Sequence, residues 1–266
     1  MAKSWHRALN ELNPFIFRIV TPGGYGTGFQ VLYPTDRTLC GIATAYHVID
    51  HAEEWEEPIK IIHHASGKSI VLKEKDRVIF TYPANDLAFI LFQKTLLPLE
   101  TREPRLIDPQ KVLKQGVGVG WCGFPHIAPP NELCFFAGHI SVCLVNEDYY
   151  LVDGVAINGV SGGPAFYIDT DTEEVKICGV ISAYKPNRIY GEAHPGLSKV
   201  CSVEPYQEML KQLRSREEAK ERAKEEKEKQ EKIEISNESA PQVKKEEKSI
   251  PKAKLARPKP KKRYQK

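Results

Sequence analysis

Between Phe15 and about Ala183 the chain runs in short segments rich in Val, Ile, Phe and Tyr, each soon cut off by glycine or proline. The runs are Phe15–Val20, Thr27–Tyr33, Leu39–Ala45, Ile59–Ile62, Ser69–Leu72, Leu87–Phe92, Gly116–Trp121, Gly138–Val145, Tyr149–Val152, Pro164–Ile168 and Val175–Ser182. No long helical stretch separates them. Parallel strands need a crossover of about a dozen residues, usually a helix, so the pattern predicts an all-β sandwich or barrel arrangement rather than a parallel α/β sheet. With 266 residues in the chain, two barrels fit better than one.

The flanks differ from this body. Trp5, Ala8, Leu9 and Leu12 repeat at i, i+3, i+4 and i+7, with Ser4 as a cap and Pro14 as a stop, which predicts a short N-terminal helix. From Glu204 to Ile235 the pattern is helical again. Tyr206, Met209, Leu210 and Leu213 form a docking stripe, and the charged remainder, 214–235, lacks the seam of a coiled coil. Residues 236–266 have no apolar periodicity and carry four prolines, so a disordered basic tail is expected there. Charge divides the same way: residues 1–210 hold 18 Lys+Arg against 24 Asp+Glu, and residues 211–266 hold 20 against 11. The predicted division is a β body over 1–213, a charged helix over 214–235 and a basic tail over 236–266.

Several functions are excluded or disfavoured. No run approaches the roughly 18 apolar residues of a membrane span, and Met1–Arg7 lacks the apolar core of a signal peptide, so a cytoplasmic chain without an integral membrane segment is expected. The six cysteines show no Cys-x-x-Cys spacing, which calls for no metal; they read as buried thiols of a reducing compartment. Gly118-Val119-Gly120-Trp121-Cys122-Gly123 spells a dinucleotide fingerprint, but Phe124-Pro125 stands where a helix should open. Gly67-Lys68-Ser69 lacks the first glycine of a phosphate loop. His63-His64 have no ligand cluster beside them and read as exposed loop or strand-end residues, and His126 is read equally plainly. No cofactor is expected.

One constellation carries chemistry. Gly159-Val160-Ser161-Gly162-Gly163-Pro164 places a serine in a glycine turn feeding an apolar strand, where the amides of Gly159 and Ser161 can converge on an oxyanion. Gly41–His47 is an apolar strand ending at a histidine, and Asp86 opens the run Leu87–Leu91. A serine hydroxyl needs a base, and a neutral imidazole needs a carboxylate to fix its tautomer. The order His47, Asp86, Ser161 supplies all three.

These segments resemble those of trypsin-like, double β-barrel serine peptidases, nearer to the HtrA/Deg-like, non-secreted bacterial branches than to digestive trypsins. Thr27-Gly28-Phe29 resembles the opening strand, Thr44–Val48 the histidine motif, Asn85–Ala88 the aspartate motif, and Cys178–Ala183 the strand that pairs with substrate. The resemblance implies two six-stranded antiparallel β-barrels. It implies His47 as general base, Asp86 as its orienting acid, Ser161 as nucleophile, Gly159 and Ser161 as oxyanion donors, and Ser182 as a hydroxyl near the aspartate. Val48 stands where digestive trypsins carry a cysteine. Val160 replaces both the aspartate of secreted zymogens and the asparagine usual in HtrA-like enzymes, so no activation by N-terminal cleavage is expected. The residues given after Leu213 are few and highly charged, so no PDZ domain is expected in them.

By the same resemblance Val155, Ser182, Ala183 and Tyr184 line the substrate site, with Asp153 within reach of it, and an apolar floor favours small or medium apolar side chains. The expected activity is that of a serine endopeptidase acting through an acyl-enzyme on peptide or protein substrates. The rival is a peptidase-fold binding or sensor protein that docks through its tail. Residues 244–266, with 11 Lys+Arg and 2 Glu, suit a polyanion or an acidic protein surface.

Overall fold

The computed structural model of the chain describes residues 4–32, 39–93, 97, 99–189 and 192–238. The expected tail falls almost wholly on 239–266, outside the described residues. Residues 1–215 form one compact unit and 216–266 a second. Within the first unit α1 (Trp5–Leu12) is capped by the Ser4 hydroxyl, which accepts the Arg7 amide at 3.4 Å. Ala8 and Leu12 are buried, and Trp5 packs on Phe135 and Phe166.

Seven strands follow: β1 (Ile16–Thr21), β2 (Gly24–Leu32), β3 (Leu39–Thr44), β4 (Ile59–His63), β5 (Ser69–Leu72), β6 (Arg77–Tyr82) and β7 (Leu87–Gln93). Among the described residues they pair antiparallel in the order β5-β4-β1-β2-β3-β7-β6 around Phe17, Ile19, Ile42, Ile90 and Phe92. This half departs from a closed six-stranded barrel: it has a seventh strand, and β5 and β6 stay apart. Arg77, at the start of β6, ties that strand to the end of β5 and to the neighbouring helix. Helix α2 (Asp50–Glu54) buries Ala52 in the same apolar cluster, and the buried Arg77 guanidinium donates to the carbonyls of Glu57 (2.7 Å), Leu72 (3.2 Å) and Ala52 (3.0 Å).

The other half closes. Strands β8 (Gly118–Gly123), β9 (Cys134–Leu144), β10 (Tyr149–Val152), β11 (Pro164–Ile168), β12 (Val175–Ile189) and β13 (Glu192–Ser202) form a barrel in the order β10-β13-β12-β11-β8-β9. The chain is thus mostly β, with one closed antiparallel barrel and one curled half-barrel sheet. The supposed dinucleotide fingerprint is strand β8, where a β-carbon on Gly120 would press on Phe135 and Trp5 at under 3 Å. Gly67, at φ +66°, turns the chain between β4 and β5.

Helix α3 (Glu204–Glu238) begins on the body, where Tyr206, Met209 and Leu210 are buried and Leu213 packs beside them. A fully buried tyrosine hydroxyl needs a partner. Tyr206 Oη reaches the carbonyls of Thr44 (2.8 Å) and Ala88 (3.0 Å), on the paired strands β3 and β7. One expectation is corrected: His63 is not exposed but 5% accessible, because its ring bridges Ser66 Oγ (2.9 Å) and the Pro14 carbonyl (2.9 Å), and His64 is half-buried. Among the described residues no helix is long and apolar enough to cross a membrane, and no cluster of three His, Cys, Asp or Glu suits a metal ion.

Candidate active site

Strands β3 and β7 lie side by side in antiparallel register, with Thr44 opposite Ala88, so the residues just past the end of one and just before the start of the other are neighbours. His47 and Asp86 occupy those positions. The His47 ring donates Nδ1–H to Asp86 Oδ2 at 2.8 Å and lies 3.0 Å from Oδ1, while the His47 backbone amide donates to Oδ1 at 3.0 Å. Asp86 itself sits in the left-handed region at φ 53°, a conformation that aspartate tolerates better than most side chains. Ser182, from β12, donates its hydroxyl to Asp86 Oδ2.

This network shifts both groups. The hydrogen bond to Asp86 raises the His47 pKa above its ordinary 6.5, outweighing partial burial, and the Asp86 and Asp50 charges add to it. Burial alone would push Asp86 up, but hydrogen bonds from His47 and Ser182 hold its carboxyl below the usual range. Bonding of the second ring nitrogen fixes which nitrogen of a neutral His47 carries the proton, leaving Nε2 as the basic atom.

The serine loop is braced from the other half of the body. Thr27, on β2, donates its amide to the Ser161 carbonyl (2.8 Å) and its hydroxyl to the Gly159 carbonyl (2.8 Å), while accepting the Phe124 amide (3.1 Å). The His126 amide holds the Asn158 carbonyl at 2.8 Å. With both carbonyls of the turn turned onto these donors, the amides of Gly159 and Ser161 are left, among the described residues, without an acceptor. Glycine is obligatory at Gly159: φ is +96°, and a β-carbon would lie 2.2 Å from the Phe124 carbonyl oxygen. At Gly162, φ +86°, it would lie 2.0 Å from the Thr27 carbonyl oxygen.

His47, Ser161 and Gly159 line one cleft together with Tyr25, His126 and Asn158. The Ser161 hydroxyl donates to the Ser182 carbonyl at 3.3 Å rather than to His47. Catalytic hydrogen bonds are often long or misaligned before substrate binds, and a hydroxyl is free to rotate about Cα–Cβ. Val160 is fully buried behind the loop, and no carboxylate stands at that position.

The expected specificity residues are more scattered. Val155 is half exposed, with its carbonyl held by the Trp121 indole N–H at 3.2 Å, and neither it nor Ala183 lines the cleft just described. Asp153 accepts the His139 amide, which turns its carboxylate toward β9. Ala183 is exposed on β12 opposite Lys199; Tyr184 follows it opposite Ser198, and its side chain lies outside the described residues. Sequence reasoning missed Thr27 as the brace of the loop, Tyr206 as the clasp under His47 and Asp86, and Tyr25 with His126 as a wall of the cleft, their rings 4.1 Å apart. A tyrosine inside the apolar stripe of α3 was the one visible signal among these.

A curled sheet and a closed barrel, with a histidine–aspartate pair from the first facing a serine turn from the second, define the fold of trypsin-like serine proteases. Solved structures similar to the chain include Deg5, at 18% identity and a TM-score of 0.55, covering 76% of this chain and 90% of that one. A mutant of Rv3671c from M. tuberculosis H37Rv in an inactive form gives 17% identity and a TM-score of 0.52 over 78% of this chain and 90% of that one. The Rv3671c protease, also in an inactive form, gives 18% and 0.51 over 77% and 91%. No protein-family model and no curated protein matches the chain.

Proposed function

We propose that the chain is a serine endopeptidase that works through an acyl-enzyme. The observation that carries this reading is the bidentate His47–Asp86 contact set beside two uncommitted amides at Gly159 and Ser161. His47 Nε2 takes the Ser161 proton as Oγ attacks the scissile carbonyl carbon, and the oxyanion accepts the two N–H groups. The tetrahedral species collapses as His47 returns the proton to the leaving amine. Water then attacks the acyl carbon as His47 takes its proton, and the second tetrahedral species collapses with His47 returning that proton to Ser161 Oγ as the acid leaves. A raised His47 pKa strengthens the base and stabilises the imidazolium formed in each step.

Side-chain preference is proposed to be for small or medium apolar groups before the scissile bond, since Val155 offers no charge and Asp153 is occupied by the His139 amide. A fluorophosphonate tests the main reading, because labelling needs both an activated hydroxyl and a usable oxyanion hole. Wild-type chain labels at Ser161, and Ser161→Ala loses label and about 10⁶-fold in kcat, the scale seen when such a nucleophile is removed. A chain that neither labels nor cleaves is the binding or sensor protein instead.

A further inference from the structure

The cleft that holds His47, Gly159 and Ser161 continues past them to Asp50 and His51, just after the histidine, and to Gly23 and Gly24, in the turn between β1 and β2. Among the described residues none from β12 lines it. In the proposed cycle His47 returns its proton to the departing nitrogen, so the segment beyond the scissile bond leaves along the His47 flank, into this part of the cleft. The glycines leave room for a side chain there: a β-carbon on Gly24 would meet nothing within 4 Å.

Charge is unbalanced at this end. Asp50 is half-buried, and its carboxylate accepts the neighbouring His51 amide at 2.6 Å, with no cation paired to it among the described residues. His51 is already engaged, its ring 3.0 Å from Glu57 Oε2. Arg18 does not line the cleft; it packs on the Tyr25 ring, 4.0 Å from the centroid, and donates to the Asn131 side chain at 2.8 Å. An unpaired carboxylate in a concave site gains from a counter-charge that arrives with a ligand. The Asp50 charge also acts on His47, which sets it near the reacting atoms.

We infer that Asp50 receives the ammonium or guanidinium group of a Lys or Arg within two residues after the scissile bond. The inference rests on the peptidase reading above and adds the substrate class: sites where a small or medium apolar residue is followed closely by a basic one. The same carboxylate repels Asp or Glu at that place, so one side chain both selects and rejects.

The test uses internally quenched peptides with one fixed acyl-side sequence, cleaved by the full chain, in which the first or second residue after the bond is Lys, norleucine or Glu. Norleucine matches Lys in length without the charge. The inference expects kcat/KM for Lys to exceed that for norleucine about 5- to 10-fold at one of the two positions, and Glu to fall below norleucine. Salt at about 1 M shrinks the Lys advantage toward unity. In Asp50→Asn the Lys-to-norleucine ratio drops to about one, and in Asp50→Lys the order of Lys and Glu reverses; ratios remove any general effect of the substitution on turnover. A second measurement needs no variant: lysinamide or glycyl-lysinamide, set against its norleucine counterpart, competes with water for the acyl-enzyme, and the cationic acceptor wins by a similar factor. Equal rates for Lys and norleucine in a chain that labels at Ser161 and cleaves overturn the inference and spare the peptidase reading. A Lys preference that survives in Asp50→Asn overturns it too. Absence of both labelling and cleavage overturns the peptidase reading, and the inference with it.

Discussion

Both the β1–β7 sheet and the β8–β13 barrel curl around an apolar interior, yet the barrel closes through its own backbone while the sheet leaves β5 and β6 apart. In the sheet Arg77 ties the end of β5 to the start of β6 by a side chain instead, and the His47–Asp86 pair is set up at the ends of two adjacent strands. The barrel holds a glycine turn whose Gly159 and Ser161 amides have no acceptor among the described residues. On the proposed mechanism the two halves divide the chemistry: the sheet would orient the proton carrier, and the barrel would supply the nucleophile and the anion donors. Thr27 is the point where the sheet reaches across to brace the barrel's loop.

Breaking the barrel's share has the largest expected effect. Gly159→Ala forces a β-carbon into the Phe124 carbonyl and displaces one oxyanion donor, which lowers kcat by about 10²–10³. Stopped-assay kinetics alongside unchanged circular dichroism checks this. Breaking the sheet's side-chain tie comes next. Arg77→Ala leaves three carbonyls without their donor, at roughly 1 kcal/mol or more each, so denaturant unfolding should report a loss of about 3 kcal/mol. Tyr206→Phe removes the clasp from Thr44 and Ala88 and should lower stability by about 1–3 kcal/mol in the same assay.

The smallest effect is in the pH profile, and it separates the two roles of the His47–Asp86 pair. If neutral His47 is the base, as proposed, kcat/KM should rise with pH along a limb whose midpoint lies above 6.5. Ser182→Ala removes a hydrogen bond that favours ionised Asp86, so the Asp86 pKa rises toward its ordinary 3.8. For stability the signs are opposite. The raised His47 pKa contributes below pH 6.5 and is lost as pH rises through the folded value; the lowered Asp86 pKa contributes above 3.8 and is lost as pH falls through its folded value. Thermal midpoints of wild type and Asp86→Asn, followed across pH, should converge at the acid end, while at high pH the gap shrinks by the His47 part and keeps the part from the hydrogen bonds to ionised Asp86.

What the sequence disclosed follows from what is local. His47, Asp86 and Ser161 stand at the ends of apolar runs, and the glycines around Ser161 betray a turn without any tertiary knowledge. Strand β6 escaped because it is an edge with Val78 and Phe80 turned outward and a charged run just before it, so it showed no buried face. Strand β13 escaped because His194, Pro195, Gly196 and Lys199 interrupt its apolar pattern. The roles of Arg77, Thr27 and Tyr206 depend on partners brought together by folding, in the case of Thr27 and Gly159 across 132 positions, and no local pattern encodes them.

The Tyr206 contact has a consequence for biosynthesis. A chain made from its amino end completes the histidine, the aspartate and the serine before this tyrosine is added. The footing under the first two is thus among the last pieces of the body to leave the ribosome, and an unfinished chain that already holds all three side chains still lacks the anchor beneath the strands that carry two of them.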